Sequence, residues 1–252
     1  MTKTLHVSRI LVLLALAFSF SYCQRPLYKN LAQGSFIAVD EESPLDSALY
    51  AFVNPFKVQL EAEMGKVIGE SVRQLDKSGA GETPLGNLIA DFQKEYAEEF
   101  FGYPVDISII NNGGIRNVLP QGNITLGNIF EISPFDNYLF VLELSSQDIQ
   151  SLAEYATKGK NLGITGMYIV AENNTVKEVL IAGKPVQANT TYLLAVNDYL
   201  ASGGDNMGFL TNLKRKEESS ILLRDILRVG ISKRTARGEK IDASIEGRQI
   251  YK

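Results

Sequence analysis

Residues 105–117 read VDISIINNGGIRN, and this stretch decides the fold. Its first half is a short apolar run of β-branched residues, which is typical of a buried strand. The run stops at two asparagines and two glycines, where the backbone is freed for positive φ. In open α/β sheets, ligands bind beyond the carboxyl ends of the strands. The stretch therefore predicts a buried strand that ends in a loop at a ligand-binding edge.

This loop has two interpretations. Asn111 supplies an amide donor and acceptor, Gly113 and Gly114 let a ligand approach the backbone, and Arg116 offers a planar fork of donors to an anion. The alternative is a tight turn after a core strand, with a surface arginine. The motif is too short to decide between a ligand-binding loop and a plain turn.

The composition is that of a soluble globular protein, with 45% hydrophobic and 21% charged residues in a chain of 252. The formal net charge is -4, and removal of residues 1–22, which contain Lys3 and Arg9, makes it about -6. A nucleic-acid polymer requires a basic face, so we do not expect one as a partner. Cys23 is the single cysteine, which excludes an internal disulfide.

Residues 1–22 have the form of an export signal: a basic start, an apolar run over residues 10–20, and small or polar residues after it. Cys23 follows immediately and resembles the acylated cysteine of a bacterial lipoprotein. The alternatives are an ordinary secretory signal with an incidental cysteine and an uncleaved anchor. We expect export to the bacterial periplasm, outer membrane or cell surface, with attachment to the membrane through a lipid on Cys23.

The rest of the chain divides into a lead-in and a domain. Residues 23–48 keep no regular period and are predicted to be a lipidated tether, with a stray strand over residues 35–39 as the alternative. Residues 49–252 are predicted to form the domain. Strands that alternate with helices there predict an α/β or layered α+β fold, with a mixed sheet and flanking helices.

Two helices are predicted near the ends of this domain. An apolar pattern over residues 46–63 indicates the first, and Pro55 is predicted to break it in two or to open its second half. A run rich in leucine and arginine predicts the second over residues 219–230.

Three stretches combine asparagine or aspartate with an aromatic residue or glycine: residues 111–116, 133–137 and 199–205. One ligand can bind to all three. The rings of Phe135 and Tyr199 can stack on a planar ligand. Asp205 can accept hydrogen bonds from sugar hydroxyls, as carboxylates do in dinucleotide sites. The alternative for both aromatic residues is packing in the core.

Residues 66–248 resemble the C-terminal, substrate-binding domain of the 5′-nucleotidase family, which includes related 2′,3′-cyclic phosphodiesterases. Five motifs in the same order carry the resemblance: residues 82–91 (ETPLGNLIAD), 111–116 (NNGGIR), 122–125 (GNIT), 134–137 (PFDN) and 199–205 (YLASGGD).

The resemblance implies roles for the candidate residues. It implies that Phe135 and Tyr199 clamp the nucleobase and that Asp205 binds the ribose hydroxyls. It also implies that Asn111 reaches the edge of the base and Arg116 the phosphate side.

The sequence departs from the family pattern at two positions. The family carries an arginine three residues before the glutamate of the first motif, where this chain has Gly79, with Lys77 nearby. This departure predicts a weaker hold on phosphate. Asn206 replaces the glycine that commonly follows the Gly-Gly-Asp triplet.

Full-length members hold two divalent metals in an N-terminal metallophosphatase domain, and such a site activates the attacking water. His6, the single histidine, lies in the predicted signal, so residues 23–252 offer no imidazole as a metal ligand or general base. The composition leaves open a Mg²⁺ site made of carboxylates alone, although nothing in the sequence groups the acidic residues to form one. We therefore expect no catalytic or metal-binding residue in this chain, and we expect the divalent metal in a partner.

Two functions of different class remain. In the first, the chain is the substrate-binding half of a split 5′-nucleotidase, and hydrolysis depends on a separate metallophosphatase subunit. In the second, it is a surface lipoprotein that binds nucleosides or nucleotides without hydrolysis. A scaffold that binds nothing is a third, although a scaffold has no need of the five motifs.

Overall fold

The structure, a computed structural model, describes residues 34, 36 and 45–252. The chain divides into two units, residues 1–50 and 51–252. The predicted export signal, Cys23 and, apart from residue 36, the alternative strand over residues 35–39 lie outside the described residues. The division of the chain into signal, tether and domain stays a prediction.

Six α-helices lie within the described residues: α1 (Ser47–Met64), α2 (Pro84–Phe101), α3 (Leu126–Ile132), α4 (Ser146–Gly159), α5 (Asp198–Ala201) and α6 (Leu223–Ala236). Polar caps explain where several of them begin. The Thr83 hydroxyl accepts a hydrogen bond from the Gly86 amide at the start of α2. Thr125 and Ser145 form capping boxes at the starts of α3 and α4.

Eleven strands lie in the same part of the chain. They are β1 (Val67–Ser71), β2 (Ile107–Asn111), β3 (Gly122–Thr125), β4 (Tyr138–Leu144), β5 (Leu162–Thr165), β6 (Met167–Glu172), β7 (Thr175–Ile181), β8 (Lys184–Pro185), β9 (Tyr192–Asn197), β10 (Lys214–Leu222) and β11 (Gln249–Tyr251).

The central sheet has five strands in the order β10-β4-β9-β2-β5. The neighbours β9 and β2 are parallel, and the other pairs are antiparallel, so the sheet is mixed as predicted. All five residues of β2 are buried, because both faces of this strand are covered.

Alternate residues of β2 face two hydrophobic cores. Ile110 packs into a core that also holds buried residues of α2, α3 and α6. Ile107 and Ile109 pack into the core on the other face, with α4 and strands of a second sheet, whose order is β11-β6-β7-β8. Helices therefore flank a mixed sheet on both faces, which confirms the predicted fold class.

The prediction of a helix over residues 219–230 was wrong in its first third. Residues up to Leu222 belong to β10, which pairs antiparallel with β4, and α6 begins at Leu223. The residues predicted to form the first turn of the helix instead extend β10, which pairs with a strand about 80 residues earlier in the chain. A local sequence pattern does not show such a distant pairing.

The predicted break at Pro55 was also wrong, because α1 runs through it without interruption. Proline removes one N–H donor and so leaves one carbonyl of the preceding turn without its helical partner. Water can satisfy this carbonyl because none of the residues of α1 is buried. The helix also exposes several large apolar side chains: Leu49, Tyr50, Phe52, Val53, Phe56, Val58 and Leu60.

Within the described residues, no helix combines the length and the apolar character that crossing a bilayer requires.

Candidate functional site

The three predicted loops meet at one edge of the central sheet. The parallel neighbours β2 and β9 end at Asn111 and Asn197, so their following loops lie side by side. Strand β4 is antiparallel to β9, with Leu139 opposite Asn197, and its start therefore lies at the same edge. The loop over residues 133–137, which leads into β4, joins the other two there.

A cavity of about 370 Å³ opens at this edge. Eight residues line it: Asn111, Gly113, Gly114, Arg116, Phe135, Asn137, Tyr199 and Asp205. All seven residues singled out from the sequence are among them, although they come from three loops up to 94 positions apart. The sequence did not single out Asn137, which lies two positions after Phe135 in the same motif.

The side chain of Lys77 holds the backbone of the Asn-Gly-Gly loop. Its Nζ donates to the carbonyl oxygen of Asn112 at 2.9 Å and also to that of Ile115. The Gly114 amide closes the turn by donating to the Asn111 carbonyl at 3.0 Å. A Cβ on Gly114 would lie 2.8 Å from Asn111 Oδ1, so this close packing requires glycine. Lys77 thus supports the loop through the backbone, and its ammonium is engaged there.

Asp205 joins two of the loops through its carboxylate. Asn111 Nδ2 donates to Oδ2 at 2.7 Å, and the Tyr199 hydroxyl donates to Oδ1 at 2.8 Å. The hydrogen bond to this carboxylate raises the pKa of the Tyr199 hydroxyl above its usual value, because ionisation would place two negative charges together. Asn111 itself is buried, with its Nδ2 directed to Asp205, whereas the resemblance implied a contact with the base edge.

The two aromatic side chains are half-exposed, with 46% of Phe135 and 47% of Tyr199 accessible to solvent. Packing in the core, the alternative for both, is therefore wrong. Arg116 lies over the Phe135 ring, with its guanidinium carbon 5.8 Å from the ring centroid, and donates to the Gly113 carbonyl at 3.2 Å. The cavity thus has two aromatic faces and a cation at its rim.

The loop that carries Phe135 is fixed from helix α6. Arg224 pairs with the Asp136 carboxylate and donates to the Phe135 carbonyl at 3.4 Å. The Leu223 amide donates to the Asn137 carbonyl at 2.9 Å. The ring of Phe135 is therefore presented by a backbone with several tertiary bonds, although the ring itself is exposed.

The third loop needs a glycine next to its aromatic ring. A Cβ on Gly204 would lie 2.5 Å from atoms of the Tyr199 ring, so the ring packs directly on the glycine backbone. Asp205 and Asn206 both have positive φ, 51° and 64°. Asparagine tolerates this left-handed conformation better than most residues, which explains how Asn206 can stand where glycine is common.

The arrangement offers stacking faces for a planar group, a carboxylate that accepts hydrogen bonds and an arginine for an anion. A planar, hydroxyl-bearing and anionic ligand matches this set. In the part of the chain that the structure describes, no three histidine, cysteine, aspartate or glutamate side chains lie together so as to hold a metal ion.

The sequence did not predict the supporting contacts of two residues, because these residues are distant in sequence from the loops they contact. Tyr155 on α4 donates its hydroxyl to the Asp205 carbonyl at 2.6 Å, across 50 positions. Lys77 reaches the Asn-Gly-Gly loop across 35 positions or more. Neither lies in a motif that shows which loop it contacts; only the tertiary fold brings them to the site.

Comparison with known proteins shows the family of this chain. The model of the 5′-nucleotidase C-terminal domain matches residues 62–213. The trifunctional nucleotide phosphoesterase protein YfkN of Bacillus subtilis is 30% identical over 234 residues, which are 85% of this chain and 16% of that protein. Protein UshA of Escherichia coli is 26% identical over 200 residues, 77% of this chain and 35% of that protein.

A solved structure of a 5′-nucleotidase has a similar fold. The 5′-nucleotidase precursor from Thermus thermophilus superposes with a TM-score of 0.67 at 26% identity, over 81% of this chain and 42% of that chain. The present chain thus spans less than half the length of each of these relatives.

Proposed function

This chain belongs to the 5′-nucleotidase C-terminal domain family, and on that basis we propose that it binds a nucleoside or nucleotide in the cavity at the edge of the central sheet. The observation that carries the proposal is the meeting of Phe135, Tyr199, Asp205 and Arg116 around one cavity. Any one of these side chains is ordinary at a protein surface, but their meeting around one cavity is not explained by that.

The chemistry of the lining residues matches the parts of a nucleotide. The exposed rings of Phe135 and Tyr199 offer π-faces to a nucleobase, and stacking on one aromatic contributes about 1–3 kcal/mol in other nucleic-acid binders. Asp205 offers acceptors to the ribose hydroxyls, and Arg116 offers donors to the phosphate side. A volume of about 370 Å³ lies within the range of small-molecule sites.

Titration calorimetry of the purified chain with adenosine and with AMP tests the proposal. We expect both ligands to bind and expect Phe135→Ala or Tyr199→Ala to weaken binding by about tenfold or more, since each removes a stacking face. Phe100→Ala is the matched control, because it removes an exposed aromatic ring (57% accessible) that is not among the cavity-lining residues.

Absence of binding to either ligand by the unmodified chain would contradict the proposal. Equal weakening by Phe135→Ala and by the Phe100→Ala control would contradict the placement of the clamp. Circular dichroism of each variant shows whether the fold is retained.

We further propose that the chain supplies the substrate-binding half of a 5′-nucleotidase-type phosphohydrolase, with hydrolysis dependent on a separate metallophosphatase subunit. Two observations support this. The family model that matches residues 62–213 is that of the C-terminal domain of 5′-nucleotidases. The single histidine is His6, so residues 23–252 lack the imidazole ligands common in such metal centres.

Assays of AMP hydrolysis separate this proposal from a purely binding role. We expect no phosphate release by the purified chain with Mg²⁺, Mn²⁺ or Zn²⁺, and co-purification of a metallophosphatase from the native source. Phosphate release by the pure chain would overturn the dependence on a partner. Purification without such a protein would favour the alternative, a nucleotide-binding surface lipoprotein without hydrolytic activity.

Export and lipid attachment at Cys23 are also proposals, supported by the leader-like residues 1–22 and the position of the only cysteine. Mass spectrometry of the protein from the native source tests them. We expect an N-terminal peptide that begins with an acylated Cys23, and Cys23→Ser should move the protein out of the membrane fraction. An unmodified cysteine in the mature protein would contradict lipid attachment.

A further inference from the structure

Helix α1 (Ser47–Met64) carries an apolar stripe along one face. Five side chains at spacings of three and four positions form this stripe: Leu49, Phe52, Val53, Phe56 and Leu60. The rings of Phe52 and Phe56 lie at its centre, with centroids 5.9 Å apart, and these two residues are 70% and 64% exposed. In the part of the chain that the structure describes, neither hydrophobic core includes a residue of α1. The stripe is therefore available to pack against another molecule.

The stability of α1 also calls for a partner. Most of the stability of a helix in a protein comes from packing of its apolar face, and a short helix alone is marginal in water. Pro55 lowers the stability of α1 further, because it removes a backbone donor. Since none of the residues of α1 is buried in a single copy of the chain, the missing packing has to come from outside it.

We propose that the stripe of α1 is an interface between two copies of this chain, and that the two α1 helices pair antiparallel. The stripe is complementary to itself in this arrangement. A register that places Val53 opposite the partner's Phe56 also places Leu49 opposite the partner's Leu60. A two-fold contact repeats each pair, so every one of these four side chains meets an apolar side chain of the other copy.

The charged residues of α1 fit the same register. Lys57 comes beside the partner's Tyr50, whose ring face attracts an ammonium group. Like charges meet at the two ends, where Asp46 comes opposite the partner's Glu63. The Glu63 carboxylate is already paired with Lys66 of its own copy at 2.6 Å, which offsets this repulsion. The centre of the stripe therefore meets no unpaired charge.

The area of the stripe is sufficient for a specific but weak dimer. Two phenylalanines, two leucines and one valine, all exposed, offer on the order of 600 Å² per copy. Two copies would then bury about 1,200 Å², and a specific interface needs roughly 1,000 Å² or more. This value lies at the lower end of stable interfaces, so we expect dissociation in the micromolar range.

A membrane surface fits the stripe less well than a second copy does. Helices that lie on membranes carry many lysines and arginines on their polar face. In α1 the single basic residue is Lys57, and Glu61 and Glu63 are acidic. The polar side of α1 therefore lacks the charge that anionic lipids attract.

Sedimentation velocity of the purified chain over a wide range of concentration tests the inference. A reductant in the buffer prevents Cys23 from joining two copies. The test variant is Phe56→Glu, which places a charge at the centre of the stripe. Val58→Glu is the matched control, because it places the same charge at another exposed apolar residue on the opposite side of the same helix.

We expect the unmodified chain to dimerise reversibly and Phe56→Glu to weaken dimerisation by about tenfold or more, since each dimer loses two buried rings. Val58→Glu should change the dissociation constant by about twofold or less. The urea midpoint of the domain should stay the same in both variants, because α1 lies outside both cores. A chain that is monomeric at all concentrations, or equal dimerisation by the two variants, would overturn the inference.

Disulfide formation tests the antiparallel register, with Cys23→Ser as the background. Leu49→Cys and Leu60→Cys should form a disulfide-linked dimer faster when the two variants are mixed than when either is alone, because the register places these positions opposite each other. Faster linkage of each variant with itself would show a parallel pair and would overturn the proposed arrangement.

Discussion

Arg248 and Asp91 are joined by two parallel hydrogen bonds, from Nη1 to Oδ1 and from Nη2 to Oδ2, each 2.8 Å long. Arg248 immediately precedes β11, and Asp91 lies on α2, the helix that packs on the central sheet. Arg248 Nη1 also donates to the Ile164 carbonyl at 3.1 Å. One side chain thus ties the C-terminal segment to both a helix and the sheet that carries the site.

Arg248→Met should lower the free energy of unfolding by about 2 kcal/mol, because it leaves the Asp91 carboxylate and a partly buried carbonyl without their donor. Urea denaturation followed by circular dichroism measures this loss. The Arg248 side chain is only 14% exposed, so water screens the pair less than it screens a surface pair.

Arg73→Met is the control for this prediction. Arg73 also pairs with a carboxylate through two hydrogen bonds, to Asp242, but both side chains are largely exposed. We expect no measurable change in its urea midpoint. Equal destabilisation by both substitutions would show that burial does not set the strength of the Arg248 pair.

Gly204→Ala should weaken nucleoside binding while the fold persists. The new Cβ would lie 2.5 Å from the Tyr199 ring, and the ring must move away from its position beside Asp205. Overpacking of this kind costs about 1–3 kcal/mol, so we expect the adenosine affinity to fall by about fivefold or more. Titration calorimetry provides the measurement.

Gly208→Ala tests whether this effect is local. Gly208 lies four positions away, and a Cβ there would have no heavy atom within 4 Å. The adenosine affinity of this variant should equal that of the unmodified chain. A loss as large as that of Gly204→Ala would point to general sensitivity of the loop instead of a clash with the ring.

The sequence predicted seven of the eight residues that line the cavity, because their positions depend on local patterns. Strands β2 and β9 are short apolar runs that end in asparagine, and a sheet brings the ends of parallel neighbours to one edge. Six of the eight lining residues lie at these ends or within eight positions after them, and the other two, Phe135 and Asn137, lie just before the start of β4 at the same edge. The mixed sheet and its flanking helices followed from the alternation of strands and helices along the chain.

What the sequence did not predict depends on distant partners. Strand β10 has a polar sequence whose last residues were predicted to begin a helix, and it is a strand because it pairs with β4. The roles of Tyr155 and Lys77 arise only when α4 and the segment before α2 approach the loops. The orientation of Asn111 toward Asp205 likewise depends on a residue 94 positions away.

Arg116→Ala should weaken the binding of a nucleotide more than the binding of a nucleoside, because Arg116 is proposed to contact the phosphate. Arg116 is exposed at the rim, over the Phe135 ring, and a phosphate would gain charge-assisted hydrogen bonds from it. We expect the affinity for AMP to fall by about tenfold and that for adenosine by much less. Arg237→Ala, which removes another exposed arginine, is the control for a change in net charge alone. Equal losses for AMP and adenosine would contradict a phosphate contact.

The free energy of unfolding should fall as the pH rises from about 10 to about 12. Burial, together with a hydrogen bond to Glu217, raises the pKa of Tyr103 to about 12. Burial, together with the nearby Glu82 carboxylate, also raises the pKa of Tyr251. An unfolded tyrosine loses its proton near pH 10, so between these values the folded chain holds protons that the unfolded chain has released.

The contribution of the two tyrosines is therefore fully present below about pH 10 and is lost as the pH passes the folded pKa. Urea denaturation at pH 9, 10 and 11 measures the slope, and absorbance at 295 nm reports the ionised tyrosines directly. Tyr103→Phe and Tyr251→Phe together should flatten the slope above pH 10, because phenylalanine has no proton to lose. An unchanged slope in the double variant would assign the loss of stability to other groups and would contradict the raised pKa of both hydroxyls.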